Sequence, residues 1–189
     1  MNILVRTYSG NTVVRPDTTW EKDNEDFYPP EFVDRLTFTP VLFARISKPG
    51  RSIVRRFAAR YYDAVNYGML LYPENMIGSS VESYAQAISL DHTSFLPSPL
   101  SMPEELFKDG ALSIRLDGSS IYEYAPTQSG KDLIEEALEE VSKMCYIRTG
   151  DIVAVELDAR KLLTVKENGT VHIEACSAGT KTMDYRIIF

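Results

Sequence analysis

The sharpest pattern along the chain is helical and lies at residues 131–144, where Leu133, Ile134, Ala137, Leu138, Val141 and Met144 form one apolar stripe. Asp132, Glu135 and Glu136 stand near its N-terminal end, where the helix dipole favours negative charge. Immediately before it, 111–116 and 119–125 flank Asp117-Gly118, a pair that tolerates the positive φ angles of a tight turn and so predicts a β-hairpin. Further β-branched or alternating runs predict strands at 2–6, 12–15, 37–46, 64–72, 152–157, 161–166, 171–176 and 183–189. In 37–46, Phe38, Leu42 and Ala44 share a face, and Pro40, with no N–H for a ladder, predicts an edge or a bulge. Gly68 interrupts 64–72, and Asn168-Gly169 predicts a hairpin turn.

Ser52 is positioned to cap a helix in which Ile53, Phe57 and Tyr61 recur at four-residue spacing. A weaker helix is expected within 79–87, and only a helical turn around 104–107, among Pro97, Pro99 and Pro103. Residues 16–30 are polar and acidic and read as a surface loop. Strands therefore dominate, with about three helices that do not alternate with them, which is the α+β class. No repeat or Gly/Ser-rich linker divides the chain, so 1–189 reads as one domain.

Composition narrows the setting. A chain of 189 residues can bury a core without disulfides or metal. A net charge of -7 and a pI near 4.9 repel phosphate backbones and anionic lipid, which argues against nucleic acid or membrane partners. No run approaches the roughly 18 apolar residues of a membrane span, and the start has no signal-peptide pattern, so a cytoplasmic location is expected. Cys145 and Cys176 are then expected as separate core thiols. Arg45, Lys48, Arg51, Arg55, Arg56 and Arg60 have no acid between them and read as a solvated basic face, a docking patch for an acidic partner being the alternative. Tyr61, Tyr62, Tyr67 and Tyr72 read as core and interface, a cavity lining being the alternative.

Residues 38–75 resemble the central strand, helix and strand of the fumarylacetoacetate hydrolase family, which build a divalent-metal site there. Val14-Arg15-Pro16-Asp17-Thr18 resembles that family's Lys-Pro turn, Leu90-Asp91-His92-Thr93 its Phe-Asp-Gly-Ser turn, and Thr149-Gly150-Asp151 its Gly-Asp turn. The Asp117-Gly118 hairpin and the 131–144 helix fall in the family's order. The resemblance implies a mixed β-sheet roll of the β-clip kind, a homodimer, and chemistry on 2-keto acids with Mg²⁺ or Mn²⁺. It also implies three carboxylate ligands, and here those positions are Thr39, Val41 and Leu70, whose methyl-bearing side chains cannot replace them. The Gly-Thr-Pro turn that holds a substrate carboxylate gives way to Glu156-Leu157-Asp158, and the Arg of an Ala-Arg-Asp run to Glu74.

The sequence is thus identified as a divergent, metal-site-lacking member, a pseudoenzyme with no catalytic residues and no cofactor. It is expected to bind a small organic acid or serve a structural role, as a homodimer or beside an intact paralogue. Arg15, Glu74, Asn75, Asp91 and His92 are its candidate pocket residues. The alternative is an active hydrolase, decarboxylase or isomerase of 2-keto acids with a relocated site around Glu74 and Asp91, using Mg²⁺ or Mn²⁺.

Overall fold

A computed structural model describes residues 1–124 and 129–189; Ala125, the expected end of the 111–125 hairpin, lies outside them. The strands are β1 (Asn2–Arg6), β2 (Thr12–Pro16), β3 (Trp20–Glu21), β4 (Arg35–Ile46), β5 (Tyr62–Pro73), β6 (Ser94–Phe95), β7 (Leu112–Leu116), β8 (Ser119–Tyr124), β9 (Ile152–Glu156), β10 (Lys161–Val165), β11 (Thr170–Ser177) and β12 (Thr180–Ile188). The α-helices are α1 (Val81–Ala87), α2 (Pro103–Asp109) and α3 (Gly130–Met144). The expected α+β class holds: β2-β1-β9-β4-β5-β6-β3, with β10 added to β4, make one sheet, and β12-β11-β7-β8 make a second.

The large sheet must curl. β2 at one edge and β3 at the other are joined by Asp17–Thr19 alone, and three residues span only about 10 Å even when extended. The two faces of the curled sheet consequently enclose different volumes. Its outer face, carrying Leu4, Phe38, Leu42, Ala44, Tyr67, Met69, Leu71, Val153 and Val155, packs with Ile173, Met183, Tyr185 and the α3 stripe of Ile134, Ala137, Leu138 and Val141 as the main core. Its inner face, with Ile3, Val5, Val41, Phe43, Leu70, Tyr72, Ile152 and Ala154, forms a second apolar cluster inside the roll. Period-two alternation sorts one set of strands into both cores.

Several sequence-based expectations are corrected. The 16–30 segment is no simple surface loop: it contains β3 and buries Thr19, Glu21 and Phe27, whose carbonyl accepts the Ile188 N–H at 2.9 Å. Pro40 lies at neither an edge nor a bulge. It pairs with Met69 at the seam where β9, opposite Val41–Arg45, gives way to β10, opposite Arg35–Phe38, so its missing N–H breaks no ladder. Gly68 sits within a continuous β5, opposite Val41, because β6 passes so close that a Cβ would strike the Phe95 carbonyl and lie 2.8 Å from Leu96 Cδ2. Ser52 caps nothing; at φ 52° its N–H donates to the Ser142 carbonyl, and a 3₁₀ helix of Arg55–Arg60 follows. Asn168-Gly169 joins no hairpin either, since β10 belongs to the large sheet and β11 to the small one. The small sheet's other hairpin turn is Ala178-Gly179 between β11 and β12, with positive φ at both residues, as at Asp117-Gly118. Cys145 and Cys176 are both free thiols.

Gly68→Ala should destabilise the protein by about 1–3 kcal/mol through overpacking against the β6 backbone. Urea unfolding would measure this, and an unchanged midpoint would mean that β6 is not held against Gly68.

Candidate functional site

The register of the large sheet fixes what points into the roll. Opposite Thr37, Thr39 and Val41 of β4 stand Tyr72, Leu70 and Gly68 of β5; opposite Val41 and Phe43 stand Glu156 and Ala154 of β9. Across β1, Val5 and Ile3 continue this face to Val13 and Arg15 of β2. Besides Thr37 and Thr39, the polar side chains Arg15, Tyr72 and Glu156 enter the roll, and Tyr72 touches both of the other two.

Arg15 is fully buried, and closure of the sheet brings it to strands far from its own. Its Nη2 donates to the Leu71 carbonyl at 2.9 Å, and its Nη1 faces the Thr93 carbonyl at 3.3 Å and the Thr93 and Ser94 hydroxyls at 3.2 Å. Its guanidinium carbon lies 4.4 Å from the centroid of the Tyr72 ring, a cation–π contact worth about 0.5–2 kcal/mol. Arg160 lies on the same ring at 5.2 Å. The Tyr72 hydroxyl donates a short hydrogen bond to Glu156 Oε1, and Glu156 Oε2 accepts the Tyr8 N–H at 2.8 Å. Burial, only partly opposed by Arg15, raises the Tyr72 hydroxyl well above its ordinary range, so it acts as a donor. Burial, followed by the nearby Glu156, raises Tyr84 as well.

Above this trio opens a cleft of about 670 Å³, lined by Tyr8, Val13, Val81, Tyr84, Glu156 and Arg160 among others. Glu156 is 9% exposed and looks into it; Tyr8 is 61% exposed and hangs over it.

The expected pocket residues scatter around this centre. Arg15 belongs to it. Glu74 reaches its rim, 3.4 Å from Arg160 Nη1, and also accepts the Thr37 hydroxyl at 2.9 Å. Asn75 instead tethers the preceding loop, accepting the Asp34 N–H and donating to the Phe32 carbonyl at 2.7 Å. His92, at φ 56° and largely exposed, faces Glu21 Oε2 at 3.2 Å, and Asp91 beside it is exposed. Thr39, Val41 and Leu70 are all fully buried. Sequence reasoning did not single out Tyr8, Tyr84 or Arg160, and named Glu156 only as an altered turn. The available signal was a carboxylate ending the apolar run Ile152–Glu156.

The basic face is partly neutralised: Arg45 meets Asp63 at 3.0 Å, and Arg55 meets Asp132 at 2.8 Å and Glu136 at 2.6 Å. Arg56 and Arg60 flank the Phe57 ring.

No protein-family model and no curated protein matches the chain by sequence. Solved structures do match. A putative fumarylacetoacetate hydrolase family protein from Yersinia pestis CO92 superposes with a TM-score of 0.81 at 14% identity, over 99% of this chain and 92% of that one. Fumarylpyruvate hydrolase from Pseudomonas aeruginosa, in complex with Mn²⁺ and pyruvate, gives 0.82 at 13% identity, over 100% and 90%. The chain has the fumarylacetoacetate hydrolase fold. A third structure with this fold, 5-carboxymethyl-2-hydroxymuconate delta-isomerase from Mycobacterium smegmatis, gives 0.79 at 11% identity, over 99% and 78%. Hydrolase and isomerase names thus both occur on this fold, and the chemistry of any one chain rests on its site.

A divalent cation needs several oxygen ligands with free lone pairs. The inner face of this roll does not fit one. Val41 and Leu70 lie in the inner apolar cluster and offer no oxygen, so of the three positions only Thr39 carries one, a neutral hydroxyl turned to the Asp158 carbonyl at 2.7 Å. Among the described residues, one group of three His, Cys, Asp or Glu side chains does converge: His172, Glu174 and Asp184, on the small sheet. Lys181 already sits within it, 2.6 Å from Glu174 and 3.0 Å from Asp184.

Tyr72→Phe should cost about 1–3 kcal/mol by leaving a buried Glu156 oxygen without its donor. In a Glu156→Gln background the same change should cost less, by at least about 0.5 kcal/mol. Strict additivity in urea unfolding would mean that the two side chains are not coupled.

The small sheet carries an acid-sensitive network. Hydrogen bonds from Lys181 hold Glu174 below the usual carboxylate range, and those from His172 and Lys181 do the same for Asp184. A depressed folded-state pKa stabilises above the unfolded value, and this contribution is lost as pH falls through the folded one. Stability should therefore decline from neutral pH into acid, and Lys181→Met should decline less steeply. Urea midpoints measured across that window test this, and parallel curves would remove Lys181 from the account.

Proposed function

We propose that this chain is a metal-free domain of the fumarylacetoacetate hydrolase fold that binds a small organic molecule in the cleft above Glu156. It does not run the metal-dependent chemistry on 2-keto acids that the resemblance implies, and the homodimer implied by that resemblance is its assembly. The observation that carries this reading is the state of the inner face. Val41 and Leu70 sit fully buried among Ile3, Val5, Phe43, Ile152 and Ala154, and Thr39 spends its hydroxyl on a backbone carbonyl. Stabilising a developing enolate is an electrostatic task that metal ions commonly perform, and aliphatic side chains contribute nothing to it. The same face nonetheless leaves a cleft of ligand size with a few convergent polar groups, the usual anatomy of a binding site.

A second reading keeps activity, since hydrolases and an isomerase share the fold. One observation favours it: Glu74 meets Arg160 at the cleft rim and could join a relocated site.

Mn²⁺ separates the two. A site filled at one hundred times its dissociation constant stabilises by about 2.7 kcal/mol. Millimolar Mn²⁺ or Mg²⁺ should leave the melting temperature unchanged, and metal analysis of the purified protein should find far less than one ion per chain. Stoichiometric metal, or turnover of fumarylpyruvate that chelation stops, would establish the second reading instead.

A further inference from the structure

Glu156 is a nine-tenths buried carboxylate, and among the described residues no Lys, Arg, His or amino terminus lies within 4.0 Å of it. A buried charge without a counterion is costly, and natural carboxylates in such positions are almost always paired. Arg15, the other charge in the roll, does not supply the partner. Its hydrogen bonds go to the Leu71 and Thr93 carbonyls and to the Thr93 and Ser94 hydroxyls, and the Tyr72 ring stands beside it. Both Glu156 oxygens accept, one from the Tyr72 hydroxyl and one from the Tyr8 N–H. Each oxygen accepts one hydrogen bond and keeps a further lone pair, and the residue borders the cleft. What the site lacks is a compact cation that donates hydrogen bonds.

Arg160 lies on the wall of the same cleft. It stacks on the Tyr72 ring whose hydroxyl meets Glu156, so the two charges stand within roughly one tyrosine side chain of each other. One of its N–H groups faces Glu74 at 3.4 Å, and the guanidinium retains other donors that suit a carboxylate bidentately. Tyr8 and Tyr84 supply ring surface on which an ammonium group is also favoured.

We propose that the cleft binds a small zwitterion of the amino-acid class, its ammonium group on Glu156 and its carboxylate toward Arg160. This rests on the metal-free reading above and names the ligand class of that same site. The ammonium fills the place of the missing counterion, and the cleft selects an amino acid over the 2-keto acid of identical carbon skeleton because the keto oxygen would face a carboxylate.

The test uses the full chain in calorimetric titrations with three matched pairs: L-alanine and pyruvate, L-glutamate and 2-oxoglutarate, L-phenylalanine and phenylpyruvate, each with and without Mn²⁺. At least one amino acid should bind without metal, its keto partner about tenfold or more weakly. Glu156→Gln should abolish that binding and Arg160→Gln should weaken it about tenfold. Because Arg160 is on the rim, its variant carries the test even if Glu156→Gln unfolds. Failure of all three amino acids at millimolar concentration without Mn²⁺ uptake, equal binding of a keto acid, or retained binding in Arg160→Gln overturns the zwitterion site alone. A keto acid that binds only with Mn²⁺ overturns the metal-free reading as well.

Discussion

The structure depends on one buried guanidinium. Large twisted sheets tend to curl or split, and here the short passage from β2 to β3 draws opposite edges together. Arg15 holds that closure, because its donors reach from β2 to the carbonyl of Leu71 on β5 and to Thr93 and Ser94 beside β6. Those carbonyls and hydroxyls would otherwise be buried with fewer donors, and an unsatisfied buried polar group costs about 1–3 kcal/mol. A lysine, with three donors on a flexible stem, could not reproduce this fork of contacts together with the ring contact to Tyr72.

Closure then sets the chemistry available inside. Once curled, the sheet faces its own inner side chains toward one another, and most are aliphatic or aromatic. The charged groups stand in one corner, where β2, β5 and β9 present Arg15, Tyr72 and Glu156, while the Thr39 hydroxyl of β4 turns to the Asp158 carbonyl. Tyr72 is central to that corner: its ring takes two guanidinium groups and its hydroxyl takes the carboxylate. Arg15 and Glu156 are thereby kept apart by a neutral phenol, and the cleft opens beside Glu156 and Arg160.

Much of the scaffold is legible in the sequence because periodicity carries it. The α3 stripe, the Asp117-Gly118 hairpin and the alternation in β4 follow from local spacing and reappear with small shifts in boundaries. What spacing cannot convey is which sheet a strand joins. Asn168-Gly169 looks like any hairpin turn, yet the chain changes sheets there, a choice made by pairing partners distant in sequence. Arg55–Arg60 fails as an α-helix for a similar reason, since Ser142 and α3 acids anchor the segment from outside. The candidate site is less legible still. Tyr8, Tyr84, Glu156 and Arg160 come from three separate stretches of chain and share no motif, so only the rolled sheet assembles them.

Stability alone gives no reason for the carboxylate at 156. The strand before it is Ile-Val-Ala-Val, and an apolar residue would continue that pattern into the roll. Replacing a buried ionic group with well-packed apolar residues is often neutral or stabilising. The change would leave the fully buried Tyr72 hydroxyl without its acceptor, and Phe at 72 would remove that hydroxyl too. Thr39, Val41 and Leu70 differ on the same face, where Val41 and Leu70 pack in the apolar cluster and the Thr39 hydroxyl donates to a backbone carbonyl. An inner face given largely to packing, with the Glu156 carboxylate at the mouth of a cleft, is the arrangement that the proposed ligand would explain.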